Sequence, residues 1–314
     1  MFLMWILFFV IVMVISFFII CFFSFYTAFY CKKRKPLKDD EYLFPKEEVY
    51  EPYKKQLLEW MKKYRSLPHE DLEITSFDGL KLRAKYFEKE KGAPIEVLFN
   101  GYRGSAERDL SGGIERAFAL NRNVVLVDQR ASGRSEGCVS TFGVKERFDA
   151  VKWADFLSEK FGENSIILLG GVSLGATTVL NASKFQLPKN VKCILADSPY
   201  TSPKDIIKKV IKDMKLPADL FYPFIKISAR LFGGFNLDEA SPIDSVKEAK
   251  LPIFLVHGDA DEYVPYYMSE EIFKNIKTDK KALVKIKGAG HGLGYPVNKE
   301  LYINSVKDFE KFWK

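Results

Sequence analysis

Ser173 stands between two glycines in Gly171-Val172-Ser173-Leu174-Gly175, directly after the apolar run "SIILLG" (165–170) and before the helix-forming stretch "ATTVLNASKF". A serine that only solvates a turn needs no small neighbours on both sides. A serine carried on a sharp strand-to-helix turn does, because bulky side chains two residues away would collide across the turn, and the turn leaves the hydroxyl exposed above a sheet. That context makes Ser173 a candidate nucleophile. A serine hydroxyl is a weak nucleophile until a neighbouring base takes its proton, so a histidine must reach it.

The chain has three histidines. His69 has no motif around it. His257 lies at the end of the strand-like run "PIFLVHG" and reads as a packed residue. His291 sits in "GAGHGLGY", where glycines on both sides let a loop present the imidazole, and it is the candidate base. In a strand–turn–helix elbow architecture the order along the chain is Ser, acid, His. "HGDADEYVP" supplies Asp261 and Asp259, and Asp197 ends the preceding strand. Asp261 is preferred, then Asp259, then Asp197; the carboxylate would orient the imidazole and stabilise its charged form.

These residues need a scaffold that brings distant loops together. "LEITSFDGLKLRAKYF" reads as two strands around an Asp78-Gly79 turn. The runs at 95–100, 123–128, 165–170, 191–197, 252–258 and 282–288 are short and rich in β-branched residues, and most are separated by stretches long enough for helices, such as Phe148 to Phe161. Continuous apolar strands alternating with helices predict an α/β fold, a mostly parallel central sheet with helices on both faces. Such sheets bind ligands at the carboxyl ends of their strands, where all the candidate residues fall.

From about residue 72 to 314 the chain resembles the α/β-hydrolase superfamily, and most nearly its compact bacterial members that share motifs with prolyl-oligopeptidase-type serine peptidases. The residues that carry the resemblance are "NGYRG" (100–104), "DQRASGRSEG" (128–137), "GVSLG" (171–175), "HGDADEYVP" (257–265) and "GAGHG" (288–292), in the family's order. The resemblance implies an α/β-hydrolase fold and makes Asp261 the acid. It places the oxyanion hole at the backbone N–H groups of Leu174 and Tyr102. Many relatives have His-Gly where this chain has Asn100-Gly101, a small departure because the donors are main-chain groups. Asp128 and Arg130 read as an Asp–Arg brace of their loop rather than as substrate contacts.

Three segments surround this scaffold. Residues 1–31 carry no charged side chain, more than the roughly 20 apolar residues a helix needs to cross a bilayer. Trp5 near one end and Tyr26 and Tyr30 near the other suit the interfaces. The cluster Lys32-Lys33-Arg34-Lys35 follows the apolar segment, the reverse of a signal peptide's charge order, and no small-residue cleavage site precedes it. A transmembrane anchor is therefore expected, with the N-terminus outside and the following domain on the cytoplasmic side. Residues 32–70 are expected to form a basic flank and a connector. There Pro36 ends the anchor helix, and Tyr53, Leu57, Trp60, Met61 and Tyr64 form an amphipathic stripe that docks on the main domain, residues 71–314. An insertion at about 199–248 reads as helical, and the resemblance implies that it caps the active site. Its stretch "LPADLFYPFIKISARLFGG" is apolar on nearly all sides and needs burial or an apolar partner.

Composition excludes several classes. The net charge of +7 is spread along the chain, and no aromatic-and-basic nucleic-acid motif is present. The four cysteines lack C-x-x-C spacing and do not build a disulfide framework. No metal cluster or phosphate-cradling loop is visible, so no cofactor is implied. The expected activity is that of a membrane-anchored serine hydrolase cleaving carboxylic esters of hydrophobic acyl groups through a Ser-His-Asp triad and an acyl-enzyme. The alternatives are a serine peptidase or aminopeptidase of prolyl-oligopeptidase type, a thioesterase or amidase, and a non-catalytic membrane-tethered binding protein.

Overall fold

The computed structural model describes residues 1–33, 38–45 and 47–313. Along the chain it contains α1 (Phe2–Ala28), α2 (Lys54–Ser66), β1 (Glu70–Thr75), β2 (Lys81–Phe87), β3 (Ile95–Phe99), α3 (Ala106–Ala119), β4 (Asn123–Asp128), α4 (Glu146–Phe161), β5 (Ile167–Val172) and α5 (Leu174–Ala182). After these come β6 (Val191–Asp197), α6 (Pro203–Asp213), α7 (Ala218–Gly233), α8 (Pro242–Glu248), β7 (Ile253–Gly258), α9 (Tyr267–Asn275), β8 (Lys281–Ile286), α10 (Gly294–Val297) and α11 (Lys299–Phe309).

All eight strands form one sheet in the order β1-β2-β4-β3-β5-β6-β7-β8. β1 and β2 are antiparallel to their neighbours, and every pairing from β4 to β8 is parallel. The sequence explains the division. β1 alternates exposed and buried residues, as an edge strand with one wet face does, whereas β3, β4 and β7 are buried along their whole length. Covering those central strands takes helices on both faces. Trp153 and Leu157 of α4, Val179 of α5, Val246 of α8 and Ile272 of α9 share one core cluster. Leu110 and Ile114 of α3 and Val306 of α11 pack on the opposite side. The strand order reverses between β3 and β5, so the loops after these two strands flank one crevice, the position at which open α/β sheets bind ligands. This is the α/β-hydrolase architecture.

The surrounding segments fit closely around it. α1 ends at Ala28, ahead of Pro36, which lies outside the described residues together with Arg34 and Lys35. The three residues after the helix belong to the folded domain: Phe29 is fully buried, Tyr30 bridges Val139, and the Cys31 N–H donates to the Cys138 carbonyl at 2.7 Å. α2 packs along α3, burying Trp60, Met61 and Tyr64. Its contact explains Gly112, where an added methyl would sit 2.6 Å from the Trp60 ring. Within the insertion α6 and α7 make the cap, while α8 packs on α5 and α9 as part of the helix layer.

Candidate active site

Ser173 follows β5 with φ +57° and ψ −116°, a backbone conformation that non-glycine residues adopt only where the surroundings enforce it. The two glycines explain how the turn closes. A methyl group on Gly171 would lie 2.6 Å from the Gly175 carbonyl oxygen, and one on Gly175 would collide with the Phe99 carbonyl and lie 2.9 Å from that of Asn100. Both clashes are with backbone, which cannot swing away. Ser173 is also the N-cap residue of α5, yet its hydroxyl makes no capping bond. Ser105, Ser202 and Ser241, the N-caps of α3, α6 and α8, all spend theirs that way. The Ser173 hydroxyl is thus not spent on the helix cap, on a residue only 6% exposed.

His291 and Asp261 meet at the same edge of the sheet. His291 Nδ1 lies 2.6 Å from Asp261 Oδ2. With Nδ1 donating its proton to the carboxylate, Nε2 is left as the basic nitrogen. The histidine loop abuts the serine turn, since a methyl on Gly292 would come within 3.1 Å of Val172 Cγ2. Asp261 is held rigidly: its Oδ1 accepts the N–H groups of Tyr263 at 2.9 Å and Val264 at 2.7 Å. Burial works against its charge, but the hydrogen bonds from His257 and His291 outweigh it and hold the carboxyl below the usual range. The other two acids are spent elsewhere. Asp259 Oδ1 accepts the Gly288 N–H at 2.7 Å, and Asp197 accepts from Ser198 at 2.9 Å and from Tyr302 at 3.3 Å, with burial raising its pKa.

The expected oxyanion donors flank the serine. Leu174 opens α5, where a first-turn N–H has no acceptor inside its own helix. Tyr102 lies in the loop after β3, next to Gly101, whose added methyl would approach Ser173 Cβ to 3.6 Å. Asp128 and Arg130 do brace their surroundings, though not by pairing with each other. Asp128 accepts the Ala106 and Arg134 N–H groups, while Arg130 grips Asp149 at 2.6 Å and Asp78 at 2.9 Å.

Three groups of contacts leave little trace in the sequence. His257 is packed and fully buried, as its position in a strand implied, but its Nε2 also lies 3.2 Å from Asp261 Oδ2 and 2.8 Å from the Val264 carbonyl, with Nδ1 2.7 Å from Ser269 Oγ. The spacing H-G-x-x-D could have signalled it. Tyr50 of the connector donates to the His291 carbonyl at 2.7 Å, a pairing across 241 positions that leaves no local trace in sequence. The Tyr102 hydroxyl donates to the Ala28 carbonyl at 2.6 Å, and Arg103 donates to the carbonyls of Thr27 and Tyr30, both at 2.8 Å. The loop bearing an expected oxyanion donor is thereby tied to the last turn of α1.

Comparison with known proteins agrees with this fold. Residues 138–313, more than half of the chain, match the Prolyl oligopeptidase family. The chain is 26% identical over 191 residues to the uncharacterized protein YqkD of Bacillus subtilis, covering 60% of this chain and 62% of that protein. It is 28% identical to the alpha/beta hydrolase domain-containing protein WAV2 of Arabidopsis thaliana, over 66% of this chain and 67% of the relative. Among solved structures it resembles the Pyrococcus furiosus esterase Pf2001, with a TM-score of 0.67 and 25% identity, covering 90% of this chain and 98% of that one.

Proposed function

We infer, from the premise that this chain belongs to the prolyl oligopeptidase family and is a serine hydrolase of esterase type, that it cleaves carboxylic esters of hydrophobic acyl groups at a membrane. Ser173 Oγ attacks the ester carbonyl carbon while His291 Nε2 takes its proton. The N–H groups of Leu174 and Tyr102 hold the resulting oxyanion. Collapse expels the alcohol, which receives the proton from His291. Water, deprotonated by the same nitrogen, then attacks the acyl-enzyme, releasing the acid and restoring Ser173. Asp261 keeps the imidazole in the required tautomer and stabilises its charged form. The observation that carries this reading is the 2.6 Å His291–Asp261 bond beside a strained serine whose hydroxyl caps nothing.

The acyl preference rests on the cap, where Phe221, Tyr222 and Ile225 join the apolar cluster that contains Leu174. Each buried methylene is worth about 0.8 kcal/mol, a few-fold in binding. If that burial is kept in the transition state, kcat/KM rises with acyl length until the pocket is full. The test is a p-nitrophenyl ester series run beside aminoacyl p-nitroanilides on the full chain in detergent, because a cut in the connector beyond Cys31 would strip buried Phe29 from the domain. Medium-chain esters should be cleaved faster than acetyl esters, and Ser173→Ala should abolish the activity. Robust anilide cleavage with no gain from longer acyl chains would instead establish the peptidase reading, which the family match favours. A fluorophosphonate probe that fails to label Ser173 in folded protein would leave only a binding role.

The anchor reading rests on α1: among the described residues it is the one helix long and apolar enough to cross a membrane, with a mean hydropathy of 3.3. Lys32 and Lys33, followed in sequence by Arg34 and Lys35, set the hydrolase domain on the cytoplasmic side. Protease added to spheroplasts should spare the domain; digestion from outside would reverse the orientation.

A further inference from the structure

We propose that the cap is itself a membrane-contact element, and that α7 with the turn preceding it lies in the leaflet that α1 enters. The inference rests on the reading of α1 as an anchor and goes beyond it. α1 and α7 pack side by side through aromatic rings: Phe17 against Phe224 at 6.0 Å, and Phe22 and Phe25 against Phe232 at 5.8 and 5.9 Å. Rising numbers match on both helices, so the two run in the same direction, and the start of α7 points the way α1 enters the bilayer.

Length then decides the depth. Crossing a hydrocarbon core of about 30 Å takes about 20 helical residues. The first ring contact with the cap comes at Phe17, so only residues 2–16 precede it, about 22 Å at 1.5 Å per residue. A spanning α1 must therefore draw Phe17 and the α7 residues beside it below the membrane surface. The shortfall of about 8 Å falls within the 5–10 Å to which interfacial helices sink.

The surface of the cap suits that position. Leu220, Ile227 and Leu231 are 60%, 41% and 47% exposed on one face of α7, and Met214 and Leu216 in the preceding turn are 65% and 39% exposed. This face is continuous with the lipid-facing side of α1 through Phe224 and Phe232. Several of the charges alongside are paired: Lys226 with Asp238 and Asp219 with Lys208, each at 2.5 Å, Lys209 with Asp213, and Arg230 with the same Asp238 carboxylate at 3.9 Å. An ester held in a bilayer would then meet the enzyme at the cap rather than through water.

The test is spin-label accessibility in the full chain, reconstituted in phosphatidylcholine–phosphatidylglycerol vesicles, with the exposed Cys138 replaced by serine. Labels at Leu220→Cys and Ile227→Cys are compared with Val10→Cys in α1 and Asp155→Cys on the outer face of α4; thermal melts verify that each variant folds. We expect both α7 labels to match Val10, open to oxygen and shielded from a water-soluble nickel chelate. A Val10 label in lipid with both α7 labels as nickel-accessible as Asp155 overturns the proposal and leaves the anchor standing. α7 labels shielded from both reagents would mean that a second copy covers the face, which also overturns it. A nickel-accessible Val10 removes the anchor reading and this inference together.

Discussion

Replacing Phe29 with alanine should destabilise the hydrolase domain although the residue directly follows an apolar segment that reads as an anchor. Phe29 is fully buried, with its ring edge-on to Phe142 at 5.7 Å and to Phe235 at 5.2 Å. It belongs to the same apolar cluster as Leu174, Tyr200 and the cap residue Tyr222. Truncating a buried phenylalanine costs about 3–5 kcal/mol, and the two edge-to-face partners place this site toward the upper end. At roughly 2–4 °C per kcal/mol for a domain of this size, the melting temperature should fall on the order of 10 °C. The assay is a tryptophan-fluorescence melt of the full chain in detergent, with ester hydrolysis measured on the same samples. Phe9→Ala, at a position 64% exposed on α1, serves as the control and should melt like the wild type. A Phe29→Ala melt indistinguishable from that of Phe9→Ala, with equal activity, would refute the reasoning that the end of α1 is part of the cap core.

Asp261→Asn should lower turnover by about 10⁴-fold, the order seen when the acid of a comparable triad is removed. Asp259→Asn should stay within a few-fold of wild type, because that carboxylate serves the Gly288 N–H; steady-state kinetics on one ester compares them, and the reverse ranking would exchange their roles. Gly175→Ala should either fail to fold or lose most activity, since its methyl meets backbone on β3; a fully active, stable variant in paired melt and activity assays would contradict the packing. For Asp78, burial opposes the charge, but hydrogen bonds from Arg130 and Ser76 hold its pKa down to about 2. The folded pKa lies below the unfolded value of about 3.9, so its stabilisation is complete above about pH 4 and fades as pH falls through 2. Asp78→Asn should flatten the pH dependence of the melting temperature between pH 5 and pH 2; an unchanged slope would contradict this.

Local rules made much of this protein legible in its sequence. Glycines two residues either side of Ser173 mark a turn that admits no Cβ, and that requirement acts over five residues. Strands buried on both faces must be apolar throughout, so the runs that became β3, β4 and β7 declared themselves, as did the alternation of strands with helices. The candidacy of Ser173 and His291 followed from these elements.

What remained hidden depended on contacts between residues far apart or on choices between near neighbours. Asp259 and Asp261 sit two positions apart in one loop, and only the folded loop turns the first toward Gly288 and the second toward His291. His257 reads as a packed strand residue because nothing local shows that its Nε2 reaches Asp261. Tyr50 joins the histidine loop across most of the chain. The N-terminal helix is the clearest case: α1 is apolar all round and has no patterned face to announce a partner. Only the tertiary structure, by laying α7 along Phe17, Phe22 and Phe25 and closing the core over Phe29, decides where the N-terminal apolar segment ends and the hydrolase domain begins.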